Sequence, residues 1–402
     1  MTDRERVRDL AKQVAEIAAG DANKAVIRRW RDTNALRKPD RAPVYCRPVG
    51  AWAELLPEDG LQCADPWLRS VERDLRMVIV KHGIGDDDPV EDWFPVPVVL
   101  ECDPPNVWGV EADRQVSECA GGSWAYDPPL KSPGDFDSLR APAYSCNDEA
   151  TLEALSRAHE LLGDILPVEP VCRPPLGAAV GSYAAGLRGL GQMMMDMAAE
   201  PELLHRLMGH IRDGVLGSLD RIESAGVLTR NNYGPMICSD PVGPEPVDGP
   251  LTCRNLWIMA ESQEFDQVSP AMWEEFCLAY QRPILRRFGL VSYGCCENLT
   301  HKIDGVLSIP NLRIFVCSAW TDLDRVVDRV GDRCVIMWRQ KATDVVFADD
   351  VGAIRAHLED GMRRLRGCRA QIVLRELQTL AGHPDRLHVW ADLAKRAAEK
   401  YA

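Results

Sequence analysis

Two adjacent cysteines and a glutamate, Cys295, Cys296 and Glu297, follow a short apolar run, Leu290 to Tyr293, with Gly294 between. Thiolates and a carboxylate are the mixed sulfur and oxygen ligands that zinc accepts. With one position open, zinc acidifies a bound thiol or water, or polarises an ether oxygen. Neighbouring side chains on an extended backbone point to opposite sides, so both cysteines face one point only if the chain turns after Gly294. The competing reading has one cysteine packed against helices and the other inert, since no paired CxxC set accompanies them.

Other chemistry-bearing residues fall at the ends of expected strands. Glu261 follows 254–260 and Glu376 follows 370–375. Either completes a metal site or acts as a general acid, or else simply pairs with Arg375, Arg339 or Lys341. Tyr293 and Arg339 join these two glutamates as candidate catalytic groups. Gln263 and Asn298 are amides placed to orient a substrate, or to tie down their loops. Tyr233 and Trp320 are aromatics suited to the wall of an apolar pocket, for which core packing is the alternative. Lys341 and Arg339 suit an anionic substrate; otherwise they are rim ion pairs. His205, His210 and His301, and the run Met193 to Met195, read as structural or solvated.

These residues need a scaffold that brings strand ends together. Strands are expected at 290–294, 312–317, 333–338 and 370–375, each followed by an amphipathic helix (299–307, 322–330, 349–366, 384–400). Short apolar runs alternating with helices predict βα units on a parallel sheet. Earlier strands are expected at 42–46, 93–102, near 168–172, at 228–239 and at 254–260, with helices at 66–83, 148–163, 182–198, 201–224 and 269–288. About eight βα units favour a TIM (β/α)8 barrel, and the absence of GxGxxG and P-loop sequences removes the usual reasons for an open sheet. Residues 1–41 form a helical extension and 42–402 the barrel. The Pro-, Gly- and Asp-rich stretch 103–147 is an excursion, either a lid over the pocket or a contact in a homodimer. Prolines in 93–102 place that strand at an edge or after an irregular lead-in.

Composition narrows the function. Lys+Arg 47 against Asp+Glu 61 leaves a net charge of −14. That surface repels phosphate, so neither nucleic acid nor an anionic membrane is an expected partner. The first residues are charged and helical, unlike a signal peptide, and no apolar run spans a bilayer. A cytoplasmic location follows as an expectation, in which the 14 cysteines are mostly small buried hydrophobes.

The segments PLGAAVGSYAAGLRGLGQMMMDMAAEPELLHRLM, AESQEFDQVSPAMWEEF, YGCCENLTHKIDGVLSIPNLRIFVCSAWTD and PDRLHVWADLAKRA resemble the uroporphyrinogen decarboxylase and methyltransferase superfamily of TIM barrels. The likeness is to its YGCCE-motif branch. It implies a methyltransferase with zinc near Cys295, Cys296 and Glu297, drawing on a small donor such as an aryl methyl ether or a methylated amine or thiol. It also implies a corrinoid acceptor carried by a separate protein, in keeping with the absence of DxHxxG. There are departures. YCRPVGAW offers only Arg47 for the arginine-rich motif of the decarboxylases, Tyr293 stands where a zinc-binding histidine is usual, and VLRELQT lacks the distal cysteine. A metal-dependent lyase or decarboxylase, and a non-catalytic binding protein on the same barrel, are the alternatives.

Overall fold

The computed structural model describes residues 1–116, 124–244, 249–348 and 350–402. Its strands in chain order are β1 (Val44–Pro48), β2 (Phe94–Pro97), β3 (Leu100–Asp103), β4 (Asp113–Val116), β5 (Trp124–Asp127), β6 (Ala143–Cys146), β7 (Val168–Val171), β8 (Trp257–Ala260), β9 (Leu290–Tyr293), β10 (Leu312–Cys317), β11 (Val335–Gln340) and β12 (Ala370–Leu377). Six of them form one curled parallel sheet in the order β1-β12-β11-β10-β9-β8. From β8 onward neighbours in sequence are neighbours in the sheet, and helices at 270–285, Ile303–Leu307, Leu323–Val330 and Val351–Arg364 connect them. The result is a half-barrel of TIM-like α/β type.

The ladders of the described residues do not form the expected ring of eight: six strands share one sheet and two pair apart from it. β2 and β7 pair in parallel with each other, and among the described residues neither has a ladder to the six. Pro95, Pro97 and Pro170 lie within this pair. Each lacks an N–H, so fewer donors remain for a third strand. The stretch 228–239 is not a strand. Asn231 instead exchanges side-chain hydrogen bonds with the backbone of Trp257, at 2.8 and 2.9 Å. The expected helix 182–198 is two helices, Val180–Arg188 and Leu190–Ala199, separated at Gly189 with φ +84°.

Alternation along the strands sorts side chains onto two faces. Phe315, Cys317, Ile336, Trp338, Ile372 and Leu374 pack with helix residues such as Leu358, Leu387 and Trp390. Tyr45, Trp257, Ile314, Val316, Val335, Met337 and Val373 form a second cluster on the face away from the helices that connect the strands. Trp30, on the N-terminal helix Asp21–Asn34, is fully buried in that second cluster. The helix is tied there by Asp87, which accepts from Arg29 and Arg41 and from the Val44 N–H of β1. The helix Asp3–Ala19 packs with 66–84 and 148–162 around a third cluster.

The excursion carries two antiparallel pairs, β3 with β6 and β4 with β5. Trp108, Leu130 and Phe136 join the main core. Trp108 lies against Gly214 of the helix Pro201–Ala225, where a Cβ would meet its ring at 2.7 Å. No helix among the described residues is long and apolar enough to cross a membrane.

Candidate functional site

β9 ends at Tyr293, and Gly294 turns the chain with φ +114°. A side chain there would strike Val316, with Cβ to Cβ at 2.9 Å, so the turn suits glycine. The turn also frees both cysteines from strand alternation. Their sulfurs lie 3.8 Å apart on one side.

Glu376 reaches the same point by a different device. β1 and β12 pair at Cys46 with Leu374 and again at Pro48 with Leu377, so Arg47 opposes two residues, Arg375 and Glu376. This is a β-bulge, and Glu376 takes the left-handed conformation at φ +61°. Simple alternation would turn Glu376 away from the face of Arg375; the bulge re-aims it. The ligand atoms of Cys295, Cys296 and Glu376 all lie within 4.8 Å of one another. Two sulfurs each about 2.3 Å from a tetrahedral zinc stand roughly 3.8 Å apart, so the donor set fits that ion with room for a further ligand.

Basic side chains frame the cluster. Arg339 pairs in register with Val373 and so faces away from the helices, as does Arg375 two residues further on. Arg339 is buried, forms an ion pair with Glu376, and donates to Cys296 Sγ at 3.7 Å. The Cys296 S–H, then the guanidiniums of Arg339 and Arg375, hold the Cys295 thiol down to about 5 against its burial. Cys296, as the proton donor of the pair, is pushed up. Burial, and then the like charge of Arg339, lowers Arg375 to about 10.

Glu297 lies outside the ligand cluster. Its Oε1 accepts from the Ser262 N–H at 2.9 Å and the Ser262 hydroxyl at 3.3 Å, and its Oε2 accepts from the Cys295 N–H at 2.9 Å. It therefore braces the cysteine turn from behind, and burial raises its pKa. Tyr293 faces the helices: it is fully buried, and its hydroxyl donates to Gln281 at 2.8 Å. That is a packing position, out of reach of a ligand in the mouth.

Glu261 follows β8, beyond the 57% exposed Met259, which opens on the face away from the helices. Burial first, then Glu264, raises Glu261 to about 7, with Glu297 and Cys295 adding to the effect. Gln263 is exposed, and its N–H donates to Glu261 at 2.8 Å. The Asn298 side chain accepts from the Thr300 N–H at 3.0 Å and so caps its own turn. Lys341 Nζ sits 4.3 Å over the ring of Trp320, which is 61% exposed on the rim. Lys341 and Arg339 both line a rim cleft of about 360 Å³. Tyr233 packs edge-on against Trp93 with Arg173 over its ring, apart from that rim pair. Sequence reading passed over Arg375 as a site residue, although its two-residue offset from Val373 marks its face. It also passed over Glu264, three residues after Glu261, and Ser182, which only the fold brings there.

No family model matches the chain, and no curated protein matches it. Among solved structures, a methyltransferase from Methanosarcina mazei superposes with a TM-score of 0.55 at 14% identity, covering 94% of this chain and 99% of that one. At that identity the likeness is one of fold. This chain has the architecture of that methyltransferase over nearly its whole length.

Proposed function

We propose that this protein is a zinc-dependent methyltransferase, taking a methyl group from a small methylated heteroatom and passing it to a corrinoid on a separate protein. The observation that carries the reading is the convergence of Cys295, Cys296 and Glu376, drawn from two separate strand ends. Bound there, zinc would supply Lewis acidity to the heteroatom of the donor. The protein's own groups have distinct tasks. Arg339 and Arg375 favour the thiolate at Cys295 and attract an anionic portion of the substrate. Glu297 holds the Cys295 backbone in place. Glu261 supplies a proton to the departing heteroatom. Trp320 and Lys341 form the outer rim that a donor passes. We further propose that the β2–β7 pair completes an eight-stranded ring around this mouth.

Metal analysis of the purified protein tests the centre. One zinc per chain is expected, with loss of the metal in Cys295→Ala or Cys296→Ala. Metal-free, folded wild-type protein would sink the reading. Methylation of free cob(I)alamin by methanol, methylamines, methanethiol or an aryl methyl ether then tests the reaction.

A further inference from the structure

Ser182 stands between two carboxylates. Its hydroxyl lies 2.7 Å from Glu264 Oε1 and 3.2 Å from Glu261 Oε1. A serine hydroxyl has one hydrogen, and an ionised carboxylate can only accept. With both glutamates ionised, only one of the two contacts is satisfied, and two like charges face each other in a part-buried site. The surroundings press the carboxylates together. Gly181 leaves no Cβ to hold them apart: one built there would meet Glu264 Oε2 at 2.8 Å. Glu264 Oε2 is buried without a hydrogen-bond partner. The Glu261 backbone is fixed by its carbonyl, which accepts from Gln281 at 2.8 Å.

We propose that Glu261, Ser182 and Glu264 hold one shared proton, and that this proton is the acid delivered at the adjacent centre. Glu261 Oε2 accepts from the Gln263 N–H. The proton therefore belongs on Oε1, from which it is donated to Ser182, while Ser182 donates to Glu264. Other titratable groups facing Glu261 are Glu297 and Cys295, which favour its neutral form, and the Tyr183 hydroxyl and Cys277 thiol, whose own ionisation is pushed up by burial. Lys302, the cation that faces Glu297 and Cys277, donates to the carbonyls of Phe265 and Asp266.

The delivery step rests on the methyl-transfer reading above. The carbon–heteroatom bond breaks as the methyl group passes to the acceptor's electron pair. The heteroatom keeps the bonding pair and takes the Glu261 proton, and water reloads the emptied dyad. Glu261 is the catalytic acid; Ser182 and Glu264 are positioning residues.

Infrared titration of the metal-free protein tests the shared proton without any methyl transfer. In the wild-type minus Glu261→Gln difference spectrum, which cancels Asp88 (raised to about 6 by burial), the carbonyl stretch of a protonated carboxylic acid should be present below pH 7 and vanish with a midpoint near 7. Glu264→Gln should lower its midpoint by about one pH unit, since a like charge is gone. Ser182→Ala, the smallest change, should shift its frequency in a folded protein. No such component at pH 6 in the difference spectrum, or a midpoint unmoved in Glu264→Gln, would overturn the proposal. In the methyl-transfer assay the alkaline fall in rate should follow the same midpoint and move down in Glu264→Gln. A rate profile unmoved in that variant would remove the catalytic role, whereas absence of methyl transfer with an intact band would sink only the reaction class.

Discussion

At the scale of single residues, the site depends on two local departures from strand geometry. Gly294 sits where an L side chain is strained and where a Cβ would also press on the Val316 backbone oxygen at 3.0 Å. Gly294→Ala should therefore cost about 1–3 kcal/mol in denaturant unfolding and lower the zinc content, because the cysteine turn must open. Glu261 offers a second measurable effect. Its pKa near 7 lies above the usual carboxyl value, so the folded state binds the extra proton between about pH 4.5 and 7. The stability that this group contributes is full below that window and is lost as pH rises through 7. Glu261→Gln should thus be more stable than wild type at pH 8, by about 1–2 kcal/mol after allowance for solvent screening, and should show a flatter dependence on pH. Residue types at this scale were legible: the cysteines, the glutamates and Arg339 at strand ends stood out in the chain. Orientation was not. Tyr293 is close to the cysteines in sequence but one step out of phase with the mouth. The aim of Glu376 depends on a bulge set by pairing with β1, which no local pattern announces.

At the scale of elements, the βα rhythm of the C-terminal third was legible because each strand is a short apolar run bounded by a polar helix. The expected strand at 228–239 failed because Thr229 and Asn231 spend side chains on neighbouring backbone instead of joining a ladder. The N-terminal helices were read as an extension, yet Asp21–Asn34 supplies Trp30 to the cluster formed by strand residues Ile314, Val335, Met337 and Val373. The Trp30 indole N–H donates to the Asp87 carbonyl at 2.6 Å. A fully buried tryptophan truncated to alanine leaves a large cavity, so Trp30→Ala should cost about 3–5 kcal/mol. A urea midpoint within error of wild type would mean that this helix is dispensable to the sheet.

At the scale of the whole molecule, the candidate metal centre reports how the sheet is shaped. β9 and β12 are separated by β10 and β11. Three strand spacings of about 4.8 Å would put them roughly 14 Å apart in a flat sheet. The sulfurs after β9 and the carboxylate of β12 nevertheless lie within 4.8 Å of one another. Only a curled sheet with strand ends turned inward permits this. The strands of the six-stranded parallel sheet were visible in the chain, whereas the expected ring of eight is not formed by ladders among the described residues, where the prolines of β2 and β7 limit the hydrogen bonds that closure needs. An ion bound by Cys295, Cys296 and Glu376 would bridge strands that share no ladder, and would bind the folded sheet in preference to the open one. Its binding energy then becomes folding energy: free zinc at a thousand times its dissociation constant adds up to about 4 kcal/mol. The unfolded chain has 14 cysteines and also binds zinc, which reduces that gain. Cys296→Ala retains nearly all of this competition while breaking the bridge. Zinc should accordingly raise the unfolding midpoint of wild type and leave Cys296→Ala unchanged or lowered, and a chelator should reverse the wild-type shift. Equal shifts in the two proteins would mean that the ion binds elsewhere and that the three ligands do not act across the curl.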